Sequence, residues 1–141
     1  MNQAISIEHI NQKAIEEMEV EIVERKGRGH PDYVIDGASE AVSKELCKYY
    51  LKEFGKVLHH NVDKGLLVGG KANPFFGGGD VIEPITLIVA GRAVTNIKRD
   101  GKDTLIPIGN IALKAIRTFL KENFRFLDVD HHIIVNYMIR Q

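Results

Sequence analysis

The clearest signal along the chain is a helical stripe. Val34, Ile35, Ala38, Ala41, Val42, Leu46, Leu51 and Phe54 recur at the spacing that gathers apolar side chains on one face of a helix. Pro31 suits the first turn, where a missing N–H matters little, and Gly55 suits the residue that closes a helix. A helix over 30–54 follows. A second stripe of Ile108, Ile111, Ala112, Ala115, Ile116, Phe119 and Leu120 predicts another over 109–122.

Elsewhere the period shortens. Residues 19–24 alternate acidic and apolar, which predicts a short strand. Residues 57–62 and 66–72 read as paired strands about a turn at Asp63-Lys64-Gly65. Residues 73–80, rich in glycine with one proline, predict a loop. A long strand is expected over 84–97, a charged turn holding Asp100-Gly101 over 98–103, and a last strand over 129–139. Residues 1–18 lack clean alternation and read as a peripheral segment, leaving 19–141 as the domain. The order predicts an α+β fold, a mixed or antiparallel sheet with the long helices on one face, which buries both stripes at once.

Composition narrows the class. The 141 residues suit about one domain. With 44% hydrophobic and 27% charged residues, disorder is excluded. No apolar run approaches the ~18 residues of a spanning helix. Met1-Asn2-Gln3 opens without the basic cluster and apolar stretch of a secretory leader, so a cytoplasmic protein is expected. Nineteen Lys and Arg balance nineteen Asp and Glu, which disfavours nucleic acid or a membrane surface as partner. A small local anion site remains open. Cys47 is the single cysteine and reads as a small core hydrophobe.

Such a site stands out at Arg25-Lys26-Gly27-Arg28-Gly29-His30-Pro31-Asp32, where a strand is expected to give way to the long helix. A helix start carries unpaired N–H groups and about half a positive charge. Three cationic side chains and a histidine crowd that end, and the glycines allow close approach; the arrangement suits a polyphosphate. Asp32 adds a carboxylate, and Mg²⁺ favours few protein oxygens together with substrate phosphates. The bland alternative is that Asp32 and Asp36 merely complement the helix dipole from water. Asp36 and Glu40 are expected at the edge of the buried stripe. In a strand, His59 and Asn61 would share one face and His60 the other, so the two histidines are a poor chelating pair, although His59, Asn61 and Asp63 could line a pocket. Phe75-Phe76-Gly77-Gly78-Gly79-Asp80 lacks the Lys-Ser/Thr ending of a phosphate loop.

With Gly29-His30-Pro31-Asp32 as its first mark, the chain resembles the archaeal type of S-adenosylmethionine synthetase (methionine adenosyltransferase). The resemblance rests on Val23-Glu24-Arg25-Lys26-Gly27, Ile35-Asp36-Gly37, Leu58-His59-His60-Asn61-Val62-Asp63, Val68-Gly69-Gly70 and Phe76-Gly77-Gly78-Gly79-Asp80, and continues through Ala90-Gly91-Arg92-Ala93 and Asn123-Phe124-Arg125-Phe126-Leu127-Asp128. It implies an enzyme that joins L-methionine to the 5′ carbon of ATP and cleaves the displaced triphosphate. His30 matches the histidine at the leaving triphosphate, Asp32 the aspartate that binds Mg²⁺, and Glu24 an active-site glutamate. Lys26, Arg28 and Gly29 join them as cofactor-binding candidates from charge and position. K⁺ is a second cation that the resemblance brings in, although no counterpart of the bacterial potassium glutamate stands near His59. Lys71 occupies the place of a methionine-contacting glutamate in bacterial relatives. The resemblance also implies a site shared between two subunits, hence a homodimer, here through the sheet. Relatives carry three similar α+β domains, and this chain corresponds to the first, expected to be incomplete alone. The alternative function is a non-catalytic module that binds Mg-polyphosphate or pairs with another subunit.

Overall fold

The computed structural model describes residues 5–99 and 101–141; residues 1–4, which hold the start read above for a leader, and Asp100 of the expected turn lie outside the described residues. Helix α1 spans Pro31–Phe54 and α2 spans Ile108–Asn123. Among the described residues seven strands accompany them: β1 His60–Val68, β2 Lys71–Phe75, β3 Gly78–Glu83, β4 Ile85–Ala93, β5 Asn96–Arg99, β6 Lys102–Leu105 and β7 Ile133–Arg140. The central sheet has the order β1-β4-β7, with β1 antiparallel and β7 parallel to β4. The mixed sheet and paired helices are those expected.

The helices form where the stripes place them. Pro31 occupies the first turn of α1, and Gly55 caps its end at φ +69°, with its N–H donating to the Leu51 carbonyl at 3.0 Å. From α1, Ile35, Ala38, Val42, Leu46 and Tyr50 enter the core. From α2 come Ala112, Ala115, Ile116 and Leu120, and from the sheet Val62, Leu87, Val89, Ile133 and Ile139. The register places Leu87 opposite Leu67 and Val135, so alternate residues of β4 point toward the helices. The other face of the sheet has no covering layer among the described residues. Leu66, Val68, Ile134 and Met138 are exposed there.

Five expectations on local structure need correction, the last of them at the start of β7. Residues 19–24 form no strand: they are irregular and exposed, with no pairing partner among the described residues. Asp63-Lys64-Gly65 is no turn either. It lies inside β1, where a register shift between Asn61 and Lys64 absorbs the irregularity while β1 continues along β4. Gly65 is required for a different reason, since a Cβ there would sit 2.4 Å from the Ile35 side chain. Residues 73–80 form a hairpin of β2 and β3, turning at Gly77 with φ +86°. The strand expected over 84–97 breaks after Ala93 into β4 and β5, and β5 pairs with β6 in a second hairpin.

The last strand begins at Ile133 rather than at 129, because Asp128 organises a turn before it. Its Oδ1 accepts the Asp130 and His131 N–H groups at 2.9 and 3.2 Å, and its Oδ2 lies 2.8 Å from His131 Nδ1. The carboxylate raises the His131 pKa above its usual 6.5, and the imidazole draws the Asp128 pKa below 3.8. The imidazolium contribution is therefore present below about pH 6.5 and lost as pH rises through the raised value; the carboxylate contribution is lost as pH falls through the lowered one. Asp128→Asn should move the His131 titration midpoint back toward 6.5 in a proton NMR titration, and an unmoved midpoint would separate the two groups.

Candidate functional site

The structure brings part of the predicted cluster together at the start of α1. His30 is the N-cap, and its Nδ1 accepts the Asp32 N–H at 3.1 Å. That bond leaves the imidazole proton on Nε2, as a donor for another group. Lys26 forms an ion pair with the Asp32 carboxylate, and His30 Nδ1 lies 3.9 Å from Asp32 Oδ2. The Lys26 ammonium, helped by His30, holds the Asp32 carboxyl below its ordinary 3.8, so it is ionised at neutral pH. The side chains of Lys26, His30 and Asp32 are all partly open to solvent.

The helix start offers fewer free N–H groups than its position suggests. Pro31 has none, Asp32 N–H is held by His30, and Val34 N–H donates to the His30 carbonyl at 3.1 Å. Side chains, rather than the backbone, are therefore the main donors available to an anion. Glu24 lies on the exposed irregular segment before α1 and Arg28 in the turn that leads into it, and neither makes an ion pair among the described residues. Asp36 and Glu40 are exposed, not at the buried edge expected of them.

The candidates do not share one pocket. Lys26 and Asp32 stand at one end of a groove of about 1230 Å³ between α1 and α2. Gly29 instead lines a cavity of about 630 Å³ beneath the start of α1, walled by Val34, Leu67, Gly70 and Ile133. Lys71, Glu83, Arg125 and His132 also line it. These four polar residues were not singled out together from sequence, because they come from β2, β3, the α2–β7 connection and the turn before β7. Gly70 is the legible part, since a Cβ there would meet the Glu83 carbonyl oxygen at 2.1 Å. His60 points inward on the same side as buried Val62 and meets Ser43, while His59 and Asn61 are exposed as alternation predicts; His60, Asn61 and Asp63 line a third, smaller cavity that His59 does not reach.

With that geometry in hand, the comparisons are decisive. A family model described as S-adenosylmethionine synthetase (AdoMet synthetase) matches residues 3–141. The chain belongs to the S-adenosylmethionine synthetase family. It is 51% identical over 139 residues to the S-adenosylmethionine synthase of Aeropyrum pernix, covering 99% of this chain and 34% of that protein. It is 50% identical to the synthase of Caldivirga maquilingensis, over 100% of this chain and 35% of the relative. With the Sulfurisphaera tokodaii synthase it shares 53% identity over 125 residues, 89% of this chain and 31% of the relative. The chain thus spans about a third of the length of these synthetase-family relatives. No helix among the described residues is long and apolar enough to cross a membrane.

Proposed function

We propose that this chain supplies the triphosphate-handling part of a cytoplasmic methionine adenosyltransferase that uses ATP and L-methionine. Membership of the synthetase family supports the reaction, and the Lys26–Asp32–His30 cluster at the start of α1 carries the assignment to residues. The methionine sulfur forms a bond to C5′ of ATP as the C5′–O bond breaks. Triphosphate leaves with the bonding pair, and water then splits it into phosphate and pyrophosphate. The task for the protein is to hold a leaving group whose negative charge grows.

His30 fits that task through its Nε2–H, because Nδ1 is already committed to Asp32 N–H. Arg28 lacks an ion-pair partner among the described residues and Lys26 has one, so Arg28 is the more readily available cation. Gly29 is assigned to the site by its position beside His30, where the space is open and a Cβ would meet nothing within 4 Å. Glu24 is assigned to the same site by motif match. Asp32 fits Mg²⁺ as a single ionised, solvent-open carboxylate beside a phosphate site, although Lys26 holds it in this structure. Mg²⁺, when bound, neutralises phosphate charge. Exchange of Lys26 from Asp32 to the phosphates would then place both cations against the leaving group.

His30→Ala and Asp32→Ala are each expected to weaken Mg-tripolyphosphate binding by about tenfold, the value of one charge-assisted hydrogen bond. Far-ultraviolet circular dichroism should remain that of the parent. Unchanged binding in both variants would sink the assignment. These 141 residues alone, spanning about a third of their relatives, are expected to form no S-adenosylmethionine from Mg-ATP and methionine. Detectable product would show that the chain assembles a complete site.

A second copy packing on the uncovered sheet face is the pairing we propose. Leu66, Val68, Ile134 and Met138 form an exposed apolar surface there, the kind of patch that marks an interface. Sedimentation velocity should show a dimer that Leu66→Glu converts to a monomer. A monomeric parent would contradict the pairing.

A further inference from the structure

We propose that the acidic arm of one copy, residues 15–24, seats on the uncovered sheet face of a second copy. The proposal rests on the pairing through that face and names what covers it. Two surfaces of this chain lack partners, and they complement each other in both charge and hydropathy.

The first surface is the arm. Residues 15–24 read Ile-Glu-Glu-Met-Glu-Val-Glu-Ile-Val-Glu, with five glutamates and no Lys or Arg. Every residue of the arm is exposed, Ile22 at 91%. Its hydrogen bonds among the described residues are local, from the Glu17 and Met18 N–H groups to the Ala14 and Ile15 carbonyls. Met18, Val20 and Ile22 recur at alternate positions, the pattern of a chain that buries one side.

The second surface is the sheet. Alternation turns Arg92 of β4 and Arg140 of β7 toward the uncovered face, and the register sets them opposite each other. Like charges so placed are unfavourable without a counter-charge. Neither arginine has an ion-pair partner among the described residues. β4 and β7 contain no Asp or Glu, and Asp63 of β1 is already held by Lys64 at 2.7 Å. Two such faces packed directly together would dry the arginines with no carboxylate to meet them, a costly burial. The arm supplies the carboxylates that the face lacks.

Spacing supports the match. Alternate residues of an extended chain repeat every ~6.6 Å, as do the outward positions Thr86, Ile88, Ala90 and Arg92 of β4. An arm laid antiparallel to β4 puts Ile22, Val20 and Met18 over the rows that hold Val68, Leu66 and Met138. The 3-10 turn at Ile15–Glu17 then brings Glu16 and Glu17 to Arg92 and Arg140. Glu24 falls beyond the last row, free for the site assigned to it above. A two-fold pair gives each face one arm.

The test is sedimentation equilibrium of the whole chain with charges reversed. Glu16→Lys with Glu17→Lys is expected to weaken the dimer by at least about tenfold, and Arg92→Glu with Arg140→Glu likewise. All four changes together should bring the dimer back to within about threefold of the parent, a rescue that general damage by either pair would not give. Lys98→Glu, exposed on the separate β5–β6 hairpin, should leave the dimer unchanged. A dimer indifferent to both reversed pairs would overturn the seating of the arm and spare the pairing through the face. Losses that add without rescue, or an equal loss from Lys98→Glu, would also overturn it. A monomeric parent would overturn the seating and the pairing together. The altered side chains are all exposed, so circular dichroism should match the parent throughout.

Discussion

Gly91→Ala is expected to lower the unfolding free energy by about 3 kcal/mol, at the upper end of what a single added methyl costs in a packed site. Gly91 lies near the end of β4, opposite Ile139 of β7. A Cβ there would sit 2.0 Å from the Asn61 carbonyl oxygen and 2.9 Å from Val62 Cα. Both contacts are backbone, so no side chain can rotate away. Relief requires β1 to move off β4 at its bulged end, which would also unseat Val62 from the core. Urea denaturation followed by circular dichroism measures the loss. A midpoint unchanged from the parent would mean that the two strands do not approach as closely as described.

Leu46→Ala should be comparably damaging, by about 2–5 kcal/mol, through an unfilled cavity rather than a clash. Leu46 is fully buried in α1, in the same core as Ala112, Ala115 and Ile116 of α2. The variant should keep its helical signal at low denaturant and unfold at a lower urea concentration. The same change at Leu51, exposed on α1, should stay within about 0.5 kcal/mol of the parent. Equal losses at the two positions would mean that the core is not where the stripe puts it.

That contrast shows what the sequence made legible. The helical stripe separated Ile35, Val42 and Leu46 from solvent, and Pro31 and Gly55 marked the ends of α1 to within a residue. Leu51 was counted in the stripe and is exposed, while Tyr50 beside it is fully buried, its hydroxyl donating to the Val94 carbonyl at 3.2 Å. Local turn chemistry misled where long-range pairing prevailed. Asp63-Lys64-Gly65 carries the residues of a turn, yet β4 offers a full-length partner and Ile35 explains the glycine. The alternation over 19–24 is a genuine strand pattern with nothing to pair with among the described residues.

The candidate site was legible to the extent that it is local. Lys26, His30 and Asp32 lie within seven residues, so the cluster shows in one short window, although the N-cap and the Lys26–Asp32 ion pair that join them are not contacts the sequence reading expects. The Ser43–His60 contact joins a helix to a strand, and the cavity lined by Lys71, Glu83, Arg125 and His132 draws on four separate segments. Neither leaves a mark in any short window. The expectation of free helix N–H groups failed for a stereochemical reason, since proline and the capping histidine between them consume most of those donors.

The most direct test of the triphosphate assignment is calorimetric titration of the chain with tripolyphosphate, with and without Mg²⁺. The account predicts saturable binding at one site per chain, strengthened by Mg²⁺, with the Mg²⁺ effect abolished in Asp32→Ala. Absence of saturable binding, or a Mg²⁺ effect that persists without the Asp32 carboxylate, would contradict it.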